Sequence, residues 1–505
     1  MKKPILVTGA TGYVGGRLVP MLLARGYSVR AAGRSLEKLR CRPWGGHENV
    51  ELVQADLFDE DSLAKAAKGC GTAYYLVHSM VPGVKDFAAA DRQAAYNMVR
   101  AARAVNLERL IYLSGLNPPD PFLSKHLRSR AEVAEILSLG PVPVTVLRAA
   151  IIIGSGSASF ELIRYLVDRL PIMLTPRWVR TESQPISIRD VLEYLIGCLE
   201  HPETTGRGFD IGGRCIETYE NLFRMYAQEV GLRPRLILPI PVLSPKLSSL
   251  WVTLVTPIPS DLSKPLISGL RNRAVCMEHD IREIIPLDLR DCRQAIRAAV
   301  DKVRQHTVDT CWTDAGELAP PEWAVCGDAQ YAGGTVLTDA YRVRLSASPE
   351  EIWNVVASIG GETGWYFADS LWNMRGLMDR LLGGVGLRRG RRHPTDIYVG
   401  DALDFWRVLV VEPNRRLLLL AEMKLPGEAL LDFVLEPSGE GGTELISIAR
   451  FHPKGIAGLS YWYSVYPFHK YVFKGMLKNM ALTIGSKIIS PPERFKPAAG
   501  ASCRL

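Results

Sequence analysis

The chain carries no Cys-x-x-Cys pair, and none of its nine cysteines alternates with histidine at metal-ligand spacing. That excludes a zinc-ribbon or finger type of site, and no metal is expected. An odd cysteine count without a framework predicts reduced thiols and a cytoplasmic protein. Also missing is any uninterrupted apolar run of the ~20 residues that a membrane-spanning helix needs. The most membrane-like stretch, Ile237 to Leu266, is broken by six prolines and by Lys246, Asp261 and Lys264. Peripheral membrane contact stays open. Lys2-Lys3 ahead of apolar residues imitates a signal peptide, but the run stops at Gly9, so a first strand is expected. Nor is there a strong charge bias. A net charge of +8 over 505 residues does not suggest a nucleic-acid partner, though it suits an anionic small ligand.

What remains is an ordinary globular balance, 47% hydrophobic and 23% charged, in a chain long enough for two or three domains. Its organising stretch is Ile5-Leu-Val-Thr-Gly-Ala-Thr-Gly-Tyr-Val-Gly-Gly-Arg-Leu18. Ile5 to Val7 has the length of a buried parallel strand, and Leu18, Met21 and Leu22 recur at helical spacing behind it. Gly9, Gly12 and Gly15 therefore occupy a strand-to-helix turn. A helix N-terminus offers backbone N–H groups and a positive dipole end, on which a pyrophosphate can sit if no Cβ intervenes. Gly9 and Gly12 are expected to let the backbone approach the phosphates, and Gly15 to let the helix pack on the strand.

Thr8, Gly9, Thr11, Gly12, Tyr13, Val14 and Gly15 together resemble the cofactor loop of the extended and atypical short-chain dehydrogenase/reductases, the NmrA-like branch included. The resemblance covers residues 1 to about 300. It implies an α/β, doubly wound parallel sheet (Rossmann) and a nicotinamide cofactor.

Strand two, Ser28 to Ala32, ends at Gly33-Arg34-Ser35, where the adenosine ribose should lie. A carboxylate there would bind the 2′-hydroxyl and repel a 2′-phosphate; an arginine does the reverse, so Arg34 predicts NADP over NAD. Ser35 can bond the phosphate or cap the next helix. Val50 to Gln54 reads as strand three, followed by Asp56-Leu57. In the resembled family an acid there approaches the adenine; equally, Asp56 could cap the helix near Glu60. Ala73 to Val77 is strand four, leading into His78, where the family's loop runs beside the cofactor. A long amphipathic helix follows over 86–105, and Val142 to Leu147 is strand six, ending at Arg148 on the side where open α/β sheets bind ligands.

Leu110 to Leu113 is strand five and ends in Ser114, the position of the family's catalytic serine. The family's Tyr-x-x-x-Lys is absent. His126 falls where the tyrosine would be and Arg130 where the lysine would be, four apart on one helix face. His126 could relay a proton, Arg130 could hold ribose or phosphate, and both could equally be an ordinary exposed helix start. The departure puts the family's dehydrogenase mechanism in doubt. The reading is an oxidoreductase with an apolar carbonyl or quinone-like substrate, or alternatively a non-catalytic NADP(H) sensor or lipid- and quinone-handling protein.

Residues 1–213 are assigned to the Rossmann domain, 214–305 to a substrate-side cap and 306–334 to a linker. Residues 335–490 form a second domain, and 491–505 a tail. In the second domain a strand (Thr335 to Leu345), a helix from Pro349, five short strands from Asp396 to Phe451 and a final helix (Trp462 to Lys487) are expected. That order resembles the helix-grip folds of the START and polyketide-cyclase type. More closely, Gly383 to His393 and Asp401 to Arg407 resemble an uncharacterised family fused behind atypical short-chain dehydrogenases. The resemblance implies an α+β fold with an apolar cavity. Arg388, Arg389, Arg391, Arg392 and His393 form the densest basic run, either an anion site or a solvated loop.

Overall fold

Strands buried on both faces read as unbroken apolar runs, and Ile5–Thr8 (β1) is buried at all four positions. The structure is a computed structural model describing residues 3–40, 42–77, 86–117, 123–239, 267–304, 336–382, 384–388, 390–438, 441–453 and 455–496. The chain divides into two units, Met1–Glu317 and Leu318–Leu505.

In the first unit β1 is joined by β2 (Val29–Gly33), β3 (Val50–Gln54), β4 (Thr72–Tyr75), β5 (Arg109–Gly115), β6 (Val144–Ala149) and β7 (Gly208–Ile211). All pair in parallel, in the order β7-β6-β5-β4-β1-β2-β3. The order reverses direction beside β1, which makes the end of β1 a topological switch point. Alternate side chains feed two cores. Val7, Tyr74, Ile111 and Leu147 pack with α1 (Gly15–Ala24), while Leu6, Tyr75, Tyr112 and Val146 lie on the opposite face. There they meet α3 (Glu60–Ala67), α4 (Phe87–Ala104) and α5 (Lys125–Ser138), α2 being the short helix Leu36–Arg40 at the end of β2. A third core gathers α6 (Ala158–Arg169), α8 (Tyr219–Glu229) and α9 (Cys292–Arg304), with α7 (Ile188–Glu200) back on the α1 face.

The second unit is a separate antiparallel sheet. Its strands are β8 (Leu337–Leu345), β9 (Ala402–Leu403), β10 (Trp406–Glu412), β11 (Arg416–Ala421), β12 (Gly427–Pro437), β13 (Thr443–Pro453) and β14 (Ile488–Phe495). They run in the order β9-β10-β11-β12-β13-β8-β14. One face packs on α10 (Pro349–Ala357), α11 (Asp369–Leu381) and α12 (Gly455–Ile484) around Trp365, Trp372, Phe405, Phe433 and Met476. Asp396 to Val399, expected as a strand, is irregular here. The sheet also takes in residues assigned to the tail. β14 pairs with β8 through Phe495, and its Pro491-Pro492 falls at a register shift on an edge, where proline costs no ladder bond.

Candidate nucleotide-binding site

At the switch point the chain turns from β1 into α1. Gly9 has φ +70°, and a Cβ on it would lie 2.8 Å from the Leu76 carbonyl oxygen just beyond β4. Gly15 is tighter still: its Cβ would stand 2.3 Å from the Gly9 carbonyl oxygen. Both glycines therefore serve packing inside the turn. Gly9 was expected to give a ligand room and instead closes the turn against β4. Gly12 differs. A Cβ there would meet the Gly9 carbonyl oxygen at 3.2 Å and, among the described residues, no other heavy atom beyond its chain neighbours within 4 Å, so Gly12 leaves this face of the turn clear of them. Its own N–H closes the turn onto the Gly9 carbonyl oxygen at 2.8 Å. The Thr8 hydroxyl is spent within the sheet, donating to the Tyr74 carbonyl oxygen at 2.9 Å.

The start of α1 carries no side-chain cap, with Val14 at the N-cap and no acid in the first turn. By contrast α3, α4, α5, α6, α7 and α8 are capped by Asp59, Asp86, Ser124, Ser157, Ser187 and Thr218. At α1 the Gly16 and Arg17 N–H groups, which a cap would hold, donate to the Gly12 and Val14 carbonyl oxygens at 2.9 and 3.1 Å, so an anion would meet the positive end of the helix at the turn ahead of them. Two arginines that sequence reasoning passed over hold this turn. Arg42 donates to the Thr11 carbonyl oxygen at 2.7 Å, bringing a buried cation to the turn. Arg17 of α1 donates to the Ser155 carbonyl oxygen at 2.8 Å, and the Tyr13 hydroxyl packs where a Cβ on Gly154 would be. The turn is thus fixed from both sides before any ligand arrives.

Half-buried Arg34 follows β2, and its carbonyl oxygen accepts from Gln54. Ser35 takes its capping role, accepting from the Lys38 N–H at 3.3 Å. Lys38 is itself buried, so the end of β2 gathers Arg34, Lys38 and Arg42 within one short helix and its flanks. Asp56 accepts from the Phe58 N–H in a local turn and is not the helix cap, which is Asp59. Leu57 is buried and its carbonyl oxygen is held by Asn97. His78 lies outside the described residues.

The catalytic trio is brought only partly together. The Ser114 hydroxyl donates to the Arg130 carbonyl oxygen at 3.3 Å. The Arg130 guanidinium is in a buried setting that opposes its charge, but Tyr112, Asp91 and Tyr75 outweigh that and raise its pKa. Its charge thus answers groups of β4, β5 and α4. The His126 ring stands against the segment after residue 267, with its Cδ2 3.9 Å from where a Gly269 Cβ would be. Arg148 is a correction. Its Nε pairs with Asp210 of β7 at 2.5 Å and its Nη2 lies 3.7 Å from Glu278, so it straps the sheet edge and is not directed at a cofactor. Sixty-two residues separate that pair, beyond any local sequence signal.

Beyond the carboxyl end of β6 lies an apolar recess lined by Ile151, Leu162, Ile163, Tyr219, Phe223 and Leu270, with Ser159 at its wall. Among the described residues no cysteine is bonded to another. Burial pushes the thiols of Cys198, Cys276 and Cys292 up to about 11, 12 and 12, which leaves them poor nucleophiles. No cluster of metal-ligating side chains occurs among the described residues. In the second unit Arg391 donates to the carbonyl oxygens of Ile359 and Ala357, and Arg392 pairs with Asp401 at 3.1 Å. Two members of the basic run are therefore consumed internally.

Residues 9–145 match the model of a family described as NAD(P)H-binding. The first unit has the doubly wound parallel sheet of a Rossmann-like α/β fold, and over those residues it is similar to that family. Residues 331–476 match a second family, a protein of unknown function (DUF2867). Among curated relatives, the chain is 27% identical over 266 residues to the rice (Oryza sativa subsp. indica) chloroplastic divinyl chlorophyllide a 8-vinyl-reductase, covering 49% of this chain and 63% of that protein. It is 23% identical over 214 residues to the photosystem II assembly factor Ycf39 of Trieres chinensis, covering 42% and 64%. It thus spans less than two thirds of either relative's length. A solved structure of triphenylmethane reductase from Citrobacter sp. complexed with NADP(H) aligns with TM-score 0.48 at 17% identity, covering 59% of this chain and 99% of that one.

Proposed function

We propose that the first unit is an NADP-dependent oxidoreductase acting on an apolar carbonyl or quinone-like substrate. The observation that carries this is the uncapped start of α1, closed by glycines and held by Arg42, beside an Arg34 that stands where an NAD enzyme needs a carboxylate. The pyrophosphate would lie against the turn at the positive end of α1. Arg34 would face the 2′-phosphate, with Lys38 and Arg42 adding positive field. The side chains lining the recess beyond β6 are apolar, but the recess has room for about one water, so a substrate there would have to part them. NADPH would supply the hydride, and His126 the proton to the reduced oxygen.

Anaerobic fluorescence titration with NADPH, NADP⁺, NADH and NAD⁺ tests this. A charge-assisted bond to the 2′-phosphate should favour NADPH over NADH by about tenfold or more, and Arg34→Asp should erase the difference. Equal affinity in the native chain would overturn the cofactor choice.

A second reading, a sensor of the NADP redox state without turnover, is favoured by one feature. The Ser114 proton and the Arg130 charge are already engaged within the fold. His126→Ala separates the two readings. An enzyme should lose turnover while keeping cofactor affinity within about threefold. Turnover that persists would remove His126 from the mechanism.

A further inference from the structure

Helix α11 turns an apolar face outward. Met374, Leu377, Met378, Leu381 and Leu382 follow i, i+3, i+4, i+7, i+8 spacing and are 52% to 76% exposed. Trp372, Gly376 and Asp379 fill the inner face. Acids are kept off the outer one. Asp379 is turned inward to accept from the Gly386 and Lys424 N–H groups, each at 2.7 Å, and Asp369, at the helix start, accepts from the Trp365 N–H. A stripe of five large apolar side chains left open on a folded unit marks an interaction surface.

The neighbouring helix indicates the partner. The 30 residues of α12 contain no Asp or Glu. Lys470, Lys474 and Lys478 recur every fourth residue, and Tyr463, Phe468, Tyr471 and Leu482 are exposed. The turn into α11 rests on this helix: the Phe367 ring lies 4.8 Å from that of Tyr471, and Asn479 donates to the Tyr366 carbonyl oxygen at 2.7 Å. The start of α11 therefore packs on the lysine-bearing half of α12, and Arg375 of α11 lies over the Tyr461 ring nearer the start of α12.

We propose that α11 and the lysine row of α12 dock the second unit onto an anionic lipid surface, with Met and Leu side chains entering the acyl boundary and the lysines reaching headgroup phosphates. Flexible Met and Leu side chains suit a fluid partner with no fixed pockets, and tyrosine beside lysine is the pairing found at the headgroup level. An acid-free helix also meets no repulsion from anionic headgroups. No described helix is long and apolar enough to cross a membrane, so this contact is peripheral.

Flotation of the full chain with vesicles tests the proposal, using phosphatidylcholine alone and phosphatidylcholine mixed with phosphatidylglycerol. Binding to the anionic vesicles, weakened by salt, is expected. The pair Leu377→Glu and Leu381→Glu should lower it by about tenfold or more, and Lys474→Gln with Lys478→Gln by about twenty-fivefold, close to fivefold per lysine. All four positions lie outside the buried core, so the melting midpoint should stay within about 2 °C, which separates lost docking from lost folding. Three results would overturn the proposal: no flotation with anionic vesicles, flotation unchanged in the leucine pair, or light scattering showing a dimer that Leu377→Glu breaks. None depends on nucleotide binding, so failure of the cofactor assignment would leave this test intact.

Discussion

The starts of α1 and α11 both lack a side-chain cap, and they lead to different conclusions. At α1 the opening is polar: backbone N–H groups behind a glycine turn, with buried Arg42 beside them. At α11 the chain enters through Ala368 in the left-handed region, and what the helix leaves open is an apolar stripe. A helix start with no acid in or before it favours an anion, because its dipole end is positive. An apolar stripe predicts only removal from water, and needs neighbouring charge to say by what. The first opening could therefore be read from the sequence, and the second required coordinates.

The largest effect that would sharpen this contrast lies in the second unit, where fold and charge are tightly bound together. Asp432 is buried between Arg416 and Arg450, accepting from the first at 3.0 Å to each oxygen and from the second at 2.9 Å. Asp432→Ala strands two guanidiniums and should cost about 3–5 kcal/mol in denaturant unfolding. Replacing all three by Leu, Met and Leu should come within about 2 kcal/mol of the native chain. Nucleotide affinity should not follow either change. If it does, the units are not separable in function.

Next in size is a pair of glycine substitutions within the first unit. Gly15→Ala forces a Cβ into the Gly9 carbonyl oxygen and should cost about 1–3 kcal/mol, with nucleotide affinity falling by about a hundredfold as the turn shifts. Gly12→Ala projects into the open face. It should lower nucleotide affinity while leaving the melting midpoint within about 2 °C. Equal destabilisation by both would mean that Gly12 also serves packing, and the ligand face would lie elsewhere.

How much could be read in advance follows the range of the interactions. β3 was placed residue for residue because Val50–Gln54 is a strand whose limits are set locally, and α4 to within one residue at each end. Arg42 escaped notice because its partner, Thr11, lies 31 residues away across the sheet edge. Arg148 misled because its partner Asp210 is farther still. α11 was missed for a different reason. Met374, Leu377, Met378 and Leu381 do follow a helical period, but that stripe is the exposed face, the reverse of what such a period normally marks. β14 was missed because Pro491-Pro492 signals a stop, which an edge strand with a register shift can ignore.

The smallest expected effect is a pH dependence confined to the second unit. Asp404 is buried, has φ +54°, and accepts from the Trp365 indole N–H at 3.0 Å and the Gly361 N–H at 3.3 Å. Burial raises its pKa, and the two hydrogen bonds and the Arg391 charge only partly oppose that. The folded state therefore holds this proton more tightly than the unfolded chain does. Its contribution to stability is fully present below the unfolded carboxyl value near ~4, and is lost as pH rises through the higher folded value. Asp404→Asn keeps an acceptor oxygen and tolerates the left-handed backbone, but cannot titrate. Relative to the native chain, the Asn variant should gain stability as pH rises from acid towards neutral and then level off, as read from urea midpoints at a series of pH values. A gain in the opposite direction would mean that the Arg391 charge outweighs burial.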